Sequence, residues 1–194
     1  MLGEVERAAE AAGGWGAVDR IAVGLGPGSF TGLRVAVATA RALGLSRGLP
    51  VSGVCTLDAI GLALAEAADG SAARLAAIDA RRGEVFAALY APGGERLWEP
   101  RVYSPRELAE RVGALAAPPL AAGSGAVRFR RQLASRGVVV PEDSDPVHRV
   151  AARHVCALVA AGSAGEGSGS LAPIYLRPPD AERWRERDSL PKQA

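Results

Sequence analysis

Gly26-Pro27-Gly28-Ser29-Phe30-Thr31-Gly32-Leu33-Arg34 is the stretch on which the reading of this chain turns. Ahead of it, residues 20–25 (Arg-Ile-Ala-Val-Gly-Leu) form an apolar run that predicts a strand buried on both faces. Behind it, residues 29–46 predict a long helix, stopped near Gly48-Leu49-Pro50. Residues 50–55 predict a second strand. Thr56 is an N-cap candidate for a helix through Ala68, with Asp58 in its first turn. A strand–helix–strand–helix order implies parallel pairing and an α/β fold.

A glycine-rich turn between a strand and a helix leaves backbone N–H groups free to bind an anion. Gly26, Pro27, Gly28, Ser29, Phe30, Thr31 and Gly32 are therefore a candidate anion-binding loop. No Gly-Lys-Ser/Thr follows, so the loop is not a P-loop. Gly32 comes one residue late for G-x-G-x-x-G, and Asp58 lies too far on to hold a ribose. Ser29 or Thr31 as a nucleophile needs a base in reach. The only histidines, His148 and His154, fall in one predicted helix, where a surface or groove position accounts for them. Asp79 is the best single acid candidate, and turn chemistry explains it more simply. No metal or cofactor is expected.

Upstream, Leu2, Val5, Ala9 and Ala12 give residues 2–12 a weak helical stripe ended by Gly13-Gly14. Downstream, residues 74–79 and 84–90 predict strands around the turn Ala80-Arg81-Arg82-Gly83, and 95–103 a third. Ser104, Pro105 and Glu107 spell a capping box with proline at the first helical position. Expected next are a short strand at 119–122, a helix at 126–136 closed by Gly137, and a strand at 138–140. A helix opening at Asp145-Pro146 should run to about Gly162. Residues 163–170 form a Gly/Ser-rich linker, 172–177 a strand or docking segment, and a charged tail follows Pro179.

The 194 residues are 48% hydrophobic and 23% charged, the balance of a soluble globular chain. A net charge of +2, with the arginines scattered, gives no footprint for direct RNA binding. Cys55 and Cys156 lack metal or disulfide spacing and, in apolar runs, are expected as buried free thiols. With no basic-then-apolar leader and no membrane-length apolar run, a cytoplasmic location is expected.

Three segments in order resemble the TsaB family: GPGSFTGLR with the helix after it, Ile78-Asp79-Ala80-Arg81-Arg82-Gly83-Glu84-Val85-Phe86, and Pro173-Ile174-Tyr175-Leu176-Arg177. The resemblance implies an actin-like, two-domain ASKHA fold, divided here as 1–70 and 71–194. It implies a non-catalytic scaffold or dimerisation subunit in synthesis of N6-threonylcarbamoyladenosine (t6A37) on tRNA. The implied partners are the catalytic paralogue TsaD and the ATPase TsaE, with tRNA met only through the complex and a homodimer possible for the subunit alone. The rival reading is an ASKHA-type ATPase or a glycoprotease-like hydrolase. The family begins with three strands ahead of the helix that corresponds to residues 2–12. The first domain is therefore expected to lack its initial strands, and its sheet to hold only two.

The helix at 29–46 is apolar nearly all round. Leu33, Val37, Ala40 and Gly44 suit a sheet. Arg34, Ala38, Arg41 and Leu45, with Ala42 beside them, form a second, small-sided face that suits close approach of another helix, either 2–12 of the same chain or one from a partner.

Overall fold

The computed structural model describes residues 2–67, 71–162 and 171–177. In chain order the elements are α1 (Leu2–Ala11), β1 (Ile21–Gly26), α2 (Phe30–Arg47), β2 (Val51–Cys55), α3 (Thr56–Ala67), β3 (Arg74–Arg81), β4 (Glu84–Tyr90), β5 (Arg96–Tyr103), α4 (Pro105–Gly113), β6 (Leu120–Ala122), α5 (Ser124–Arg128), α6 (Arg130–Ala134) and α7 (Ala152–Ala160), with short 3-10 turns at Trp15–Ala17 and Pro146–His148.

The strands form two sheets. β1 and β2 pair in parallel, Ile21 opposite Val51 and Val23 opposite Gly53, as the crossover through α2 requires. β5, β4, β3 and β6 form the second sheet, antiparallel except for the parallel β3–β6 pair.

β3 and β4 of the second sheet are buried on both faces, successive side chains entering opposite cores, while the edge strand β5 is partly exposed. Leu75, Ala77, Val85, Ala87 and Leu89 pack with Leu108 and Val112 of α4, Phe129 and Leu133. Ala76, Phe86, Ala88 and Tyr90 face α3, meeting Leu57, Ile60 and Leu64. On the α4 side, α5 crosses close to β3 and β4 at Gly125. A Cβ there would lie 2.6 Å from Val85 Cγ2 and 2.9 Å from the Ile78 carbonyl carbon. The capping box forms as read: Ser104 Oγ accepts from Glu107 N–H, and the Glu107 carboxylate accepts from Ser104 N–H.

The first sheet is covered by α2 on one face, through Val23, Val37 and Ala40. On the other, Ala22 and Val54 meet Ala59 of α3 and Val155 and Val159 of α7. The chain thus returns, after the second sheet, to close the core of the first.

Several expectations need correction. The helix at 126–136 is two short helices broken at Phe129 (φ −107°, ψ 24°). The break lets Phe129 enter the core while Arg130 reaches the carbonyls of Val140 and Pro141 and the Asp143 carboxylate. The strand at 138–140 is a single bridge, Leu120 to Val139, cut short by Pro141. Asp145 caps only a 3-10 turn: Arg149 and Ala151 are extended, and the helix starts at Ala152. Thr56 is the first residue of α3, and its hydroxyl donates to the Pro27 carbonyl at 2.6 Å. Cys156 is exposed, on the outer side of α7; Cys55 is buried. The Gly/Ser linker and the charged tail lie outside the described residues.

Candidate functional site

The glycine-rich stretch forms a tight turn from β1 into α2. Gly26 has φ +108°, a region closed to most side chains, and a Cβ there would lie 2.8 Å from Leu33 Cδ1 and 3.0 Å from the Ile174 carbonyl. Ser29 is the N-cap of α2, its hydroxyl accepting from Gly32 N–H at 3.4 Å. That bond gives the hydroxyl a structural role. Neither histidine serves it as a base. His148 Nδ1 accepts from Gly123 N–H at 3.1 Å, which leaves its proton on Nε2, facing the carbonyls of Pro141 and Glu142. His154 Nε2 is 3.0 Å from Glu66 Oε2. Both rings are buried, not on the surface. A histidine on a short amphipathic helix gives no sequence signal of which face it takes.

Across from Ser29 stands the β3–β4 turn. Arg81 and Arg82 adopt left-handed backbone (φ 63° and 55°) before Gly83 (φ 77°). The turn is held by Asp79, whose carboxylate accepts from Arg81 N–H at 2.9 Å and from Arg128 Nη1 at 2.8 Å. Asp79 is therefore a turn-forming residue engaged by an arginine. Between loop and turn passes the segment 171–177. It is a docking strap and not a strand: Ile174 N–H donates to Leu25 O at 2.7 Å, and Arg177 Nη1 to Glu84 Oε2 at 2.5 Å. The loop at Pro27–Phe30, the turn at Asp79–Arg82 and the strap at Ile174–Arg177 enclose a cleft of about 770 Å³. The three sequence segments that carry the family resemblance thus converge on one place.

A second tie joins the two sheets beside it. Asp58, on the first turn of α3, accepts from Tyr90 Oη at 2.7 Å and from Arg96 Nη2 at 2.6 Å. Burial, then the Asp58 charge, push the Tyr90 hydroxyl well above its ordinary pKa. Burial works against the Arg96 charge, and Asp58 more than offsets it. Burial above all, with Asp58 adding to it, lifts the Cys55 thiol to about 11.

The outer face of α2 is open. Leu33, Val37, Ala40 and Gly44 are buried against the sheet, as their spacing required. Arg34, Ala38, Arg41 and Leu45 are exposed, Leu45 at 88%. α1 packs chiefly against the 3-10 turn that follows it, with only Ala9 buried. Ala42 is exposed beside them, as read, and the structure adds one residue that the sequence reading left out of this face: Val35, 52% exposed. Val35, Ala38, Ala42 and Leu45 follow the i, i+3, i+7, i+10 spacing of a two-heptad seam, with Arg34 and Arg41 at its flanking positions. That period was the available signal.

The family model described as "TsaD: tRNA N6-adenosine threonylcarbamoyltransferase" matches residues 4–134. The chain belongs to this family. Within the TsaD family it is TsaB-like. An uncharacterized protein of Mycobacterium tuberculosis is 36% identical over 165 residues, 85% of this chain and 67% of that protein. The Escherichia coli tRNA threonylcarbamoyladenosine biosynthesis protein TsaB is 36% identical over 115 residues, 56% of this chain. The crystal structure of an uncharacterized protein with similarity to peptidase YeaZ from Pseudomonas aeruginosa superposes with a TM-score of 0.72 and 33% identity, covering 91% of this chain and 82% of that one. The match spans 48% of the E. coli TsaB and 23% of a relative from Mycobacterium leprae. The α/β architecture of ASKHA type expected from the TsaB resemblance is the one this chain has. Among the described residues no helix is long and apolar enough to cross a membrane.

Proposed function

We propose that this chain acts in tRNA threonylcarbamoyladenosine synthesis as a non-catalytic scaffold subunit, docking TsaD through the outer face of α2. One observation carries the reading: an exposed apolar seam flanked by arginines on a helix whose opposite face is buried against the sheet. α2 bears Arg34, Arg41 and Arg47 and no acidic residue. A partner helix suited to it carries carboxylates opposite Arg34 and Arg41 and small or aliphatic side chains along the seam. TsaE would join through TsaD, tRNA would be met by the assembled complex, and a second copy would take the α2 face when TsaD is absent.

The chemistry of the loop favours scaffold over enzyme, since Ser29 caps a helix and Asp79 builds a turn. The test is reconstitution. TsaD and TsaE with this chain are expected to form t6A on tRNA, and TsaD and TsaE alone to form little. The chain alone is expected to leave ATP intact; turnover near ~1 s⁻¹, a modest enzymatic rate, would replace the scaffold reading with that of an ATPase.

A further inference from the structure

The strap and the α2 face share two side chains. Arg34 Nε donates to Tyr175 Oη at 3.2 Å, and Arg41 Nη2 to the Leu171 carbonyl at 3.3 Å. Arg34 also sits over Phe30, its Cζ 3.9 Å from the ring centroid. Phe30 in turn stacks on Tyr175, centroids 5.5 Å apart. The strap is anchored at both ends. Leu171 packs in the α2–β1 core, while Ile174 and Leu176 pack in the core between α3 and the second sheet.

We propose that Tyr175 and the Leu171 carbonyl are positioning groups for docking: they hold Arg34 and Arg41 to one side of the seam, so that an acidic-flanked helix can approach Ala38 closely. The proposal rests on the docking reading above. A free arginine loses much rotamer freedom when a partner fixes it. Here two flanking arginines are already held by one segment, so a partner meets a surface closer to its bound form. They are held on the side of the strap, which leaves Ala38 and Ala42 uncovered. Coupling of this kind is reciprocal, so docking must also tighten the strap.

The experiment is calorimetry of the chain against the TsaD encoded in the same genome, with Tyr175→Phe, Arg34→Leu and the double variant. Tyr175→Phe removes only the hydroxyl and keeps the ring stack on Phe30. It is expected to weaken binding about three- to tenfold, the range for the net worth of one ordinary hydrogen bond. In the Arg34→Leu background the same change is expected to do nothing. An equal loss in both backgrounds would make Tyr175 merely structural and overturn the proposal. Hydrogen exchange at the Ile174 amide is expected to slow by a similar factor when TsaD binds. Parent-like affinity of Tyr175→Phe, in a chain whose binding Ala38→Trp abolishes, would sink the positioning role and leave the docking face standing. A parent chain that does not bind TsaD, or binds it as well with Ala38→Trp, would remove both.

Discussion

The two sheets of this chain are built to different degrees of closure. The four-stranded sheet buries both faces, with alternating residues divided between α3 on one side and α4, Phe129 and Leu133 on the other. The two-stranded sheet has cover on both faces too, but the helix that covers one of them is itself half open. Leu33, Val37, Ala40 and Gly44 of α2 are spent on the sheet, and Val35, Ala38, Ala42 and Leu45 face outward. A helix hydrophobic all round belongs in an interior. In the second sheet the interior is supplied by the chain; around α2 half of the helix is left open.

Substitutions separate the two regions, and the largest effect belongs to the closed one. Gly125→Val would drive a side chain into Val85 and the backbone of β3. It should cost about 3 kcal/mol or more, read as a lowered urea midpoint or loss of soluble protein. Ala38→Trp and Ala38→Glu, on the open face, should leave the melt within about 0.5 kcal/mol of the parent while weakening TsaD binding by about 2–4 kcal/mol. Both variants are needed, because the introduced glutamate could pair with Arg34 and Arg41, whereas tryptophan adds bulk alone. Unfolding by Ala38→Trp would mean that the face belongs to the chain's own core, and the comparison would collapse.

The seam between the regions should respond at an intermediate scale. Asp58→Asn keeps the shape of the Tyr90–Asp58–Arg96 cluster and removes its charge. A loss of about 1–3 kcal/mol is expected, since half-buried Arg96 keeps only its pair with exposed Glu99. An unchanged melt would show that the two sheets are joined by the strap and α3 packing alone.

The smallest effect is chemical. At pH 8 the buried Cys55, with its thiol raised to about 11, exposes on the order of one thiolate in a thousand. Cys156 is exposed on α7. Iodoacetamide is expected to modify Cys156 readily and Cys55 only on unfolding. Prompt modification of both would mean that the junction around Cys55 opens on its own.

Most of the backbone was legible because local rules decided it. Apolar runs either side of the Ala80–Gly83 turn marked β3 and β4, the Ser104–Glu107 box marked α4, and the two faces of α2 followed from its 3.6-residue period. The failures lie where a distant contact overrode a local preference. Phe129 left its helix for a core formed by residues far away in sequence. Asp145 capped a turn that went no further. His154 and Cys156 were assigned to the wrong surroundings because burial on α7 is set by β1 and α3, about 90 residues or more earlier; His148 lies off that helix, in the 3-10 turn, with its ring against Gly123 and the carbonyls of Pro141 and Glu142. The convergence of loop, turn and strap on one cleft could be expected from the family resemblance alone, since no periodicity links residues 26, 79 and 175.

The return of α7 to the first sheet has a consequence for how the molecule is made. Val54 and Ala59 must wait for Val155 and Val159, about 100 residues behind them on the nascent chain. At typical bacterial elongation rates that is a delay of about 5–20 s, during which one face of β1–β2 is open to water and to other chains. The four-stranded sheet, complete with α4 by residue 122, can assemble inside that interval. Order of emergence from the ribosome therefore favours a second half that folds first and serves as the template on which the first half closes.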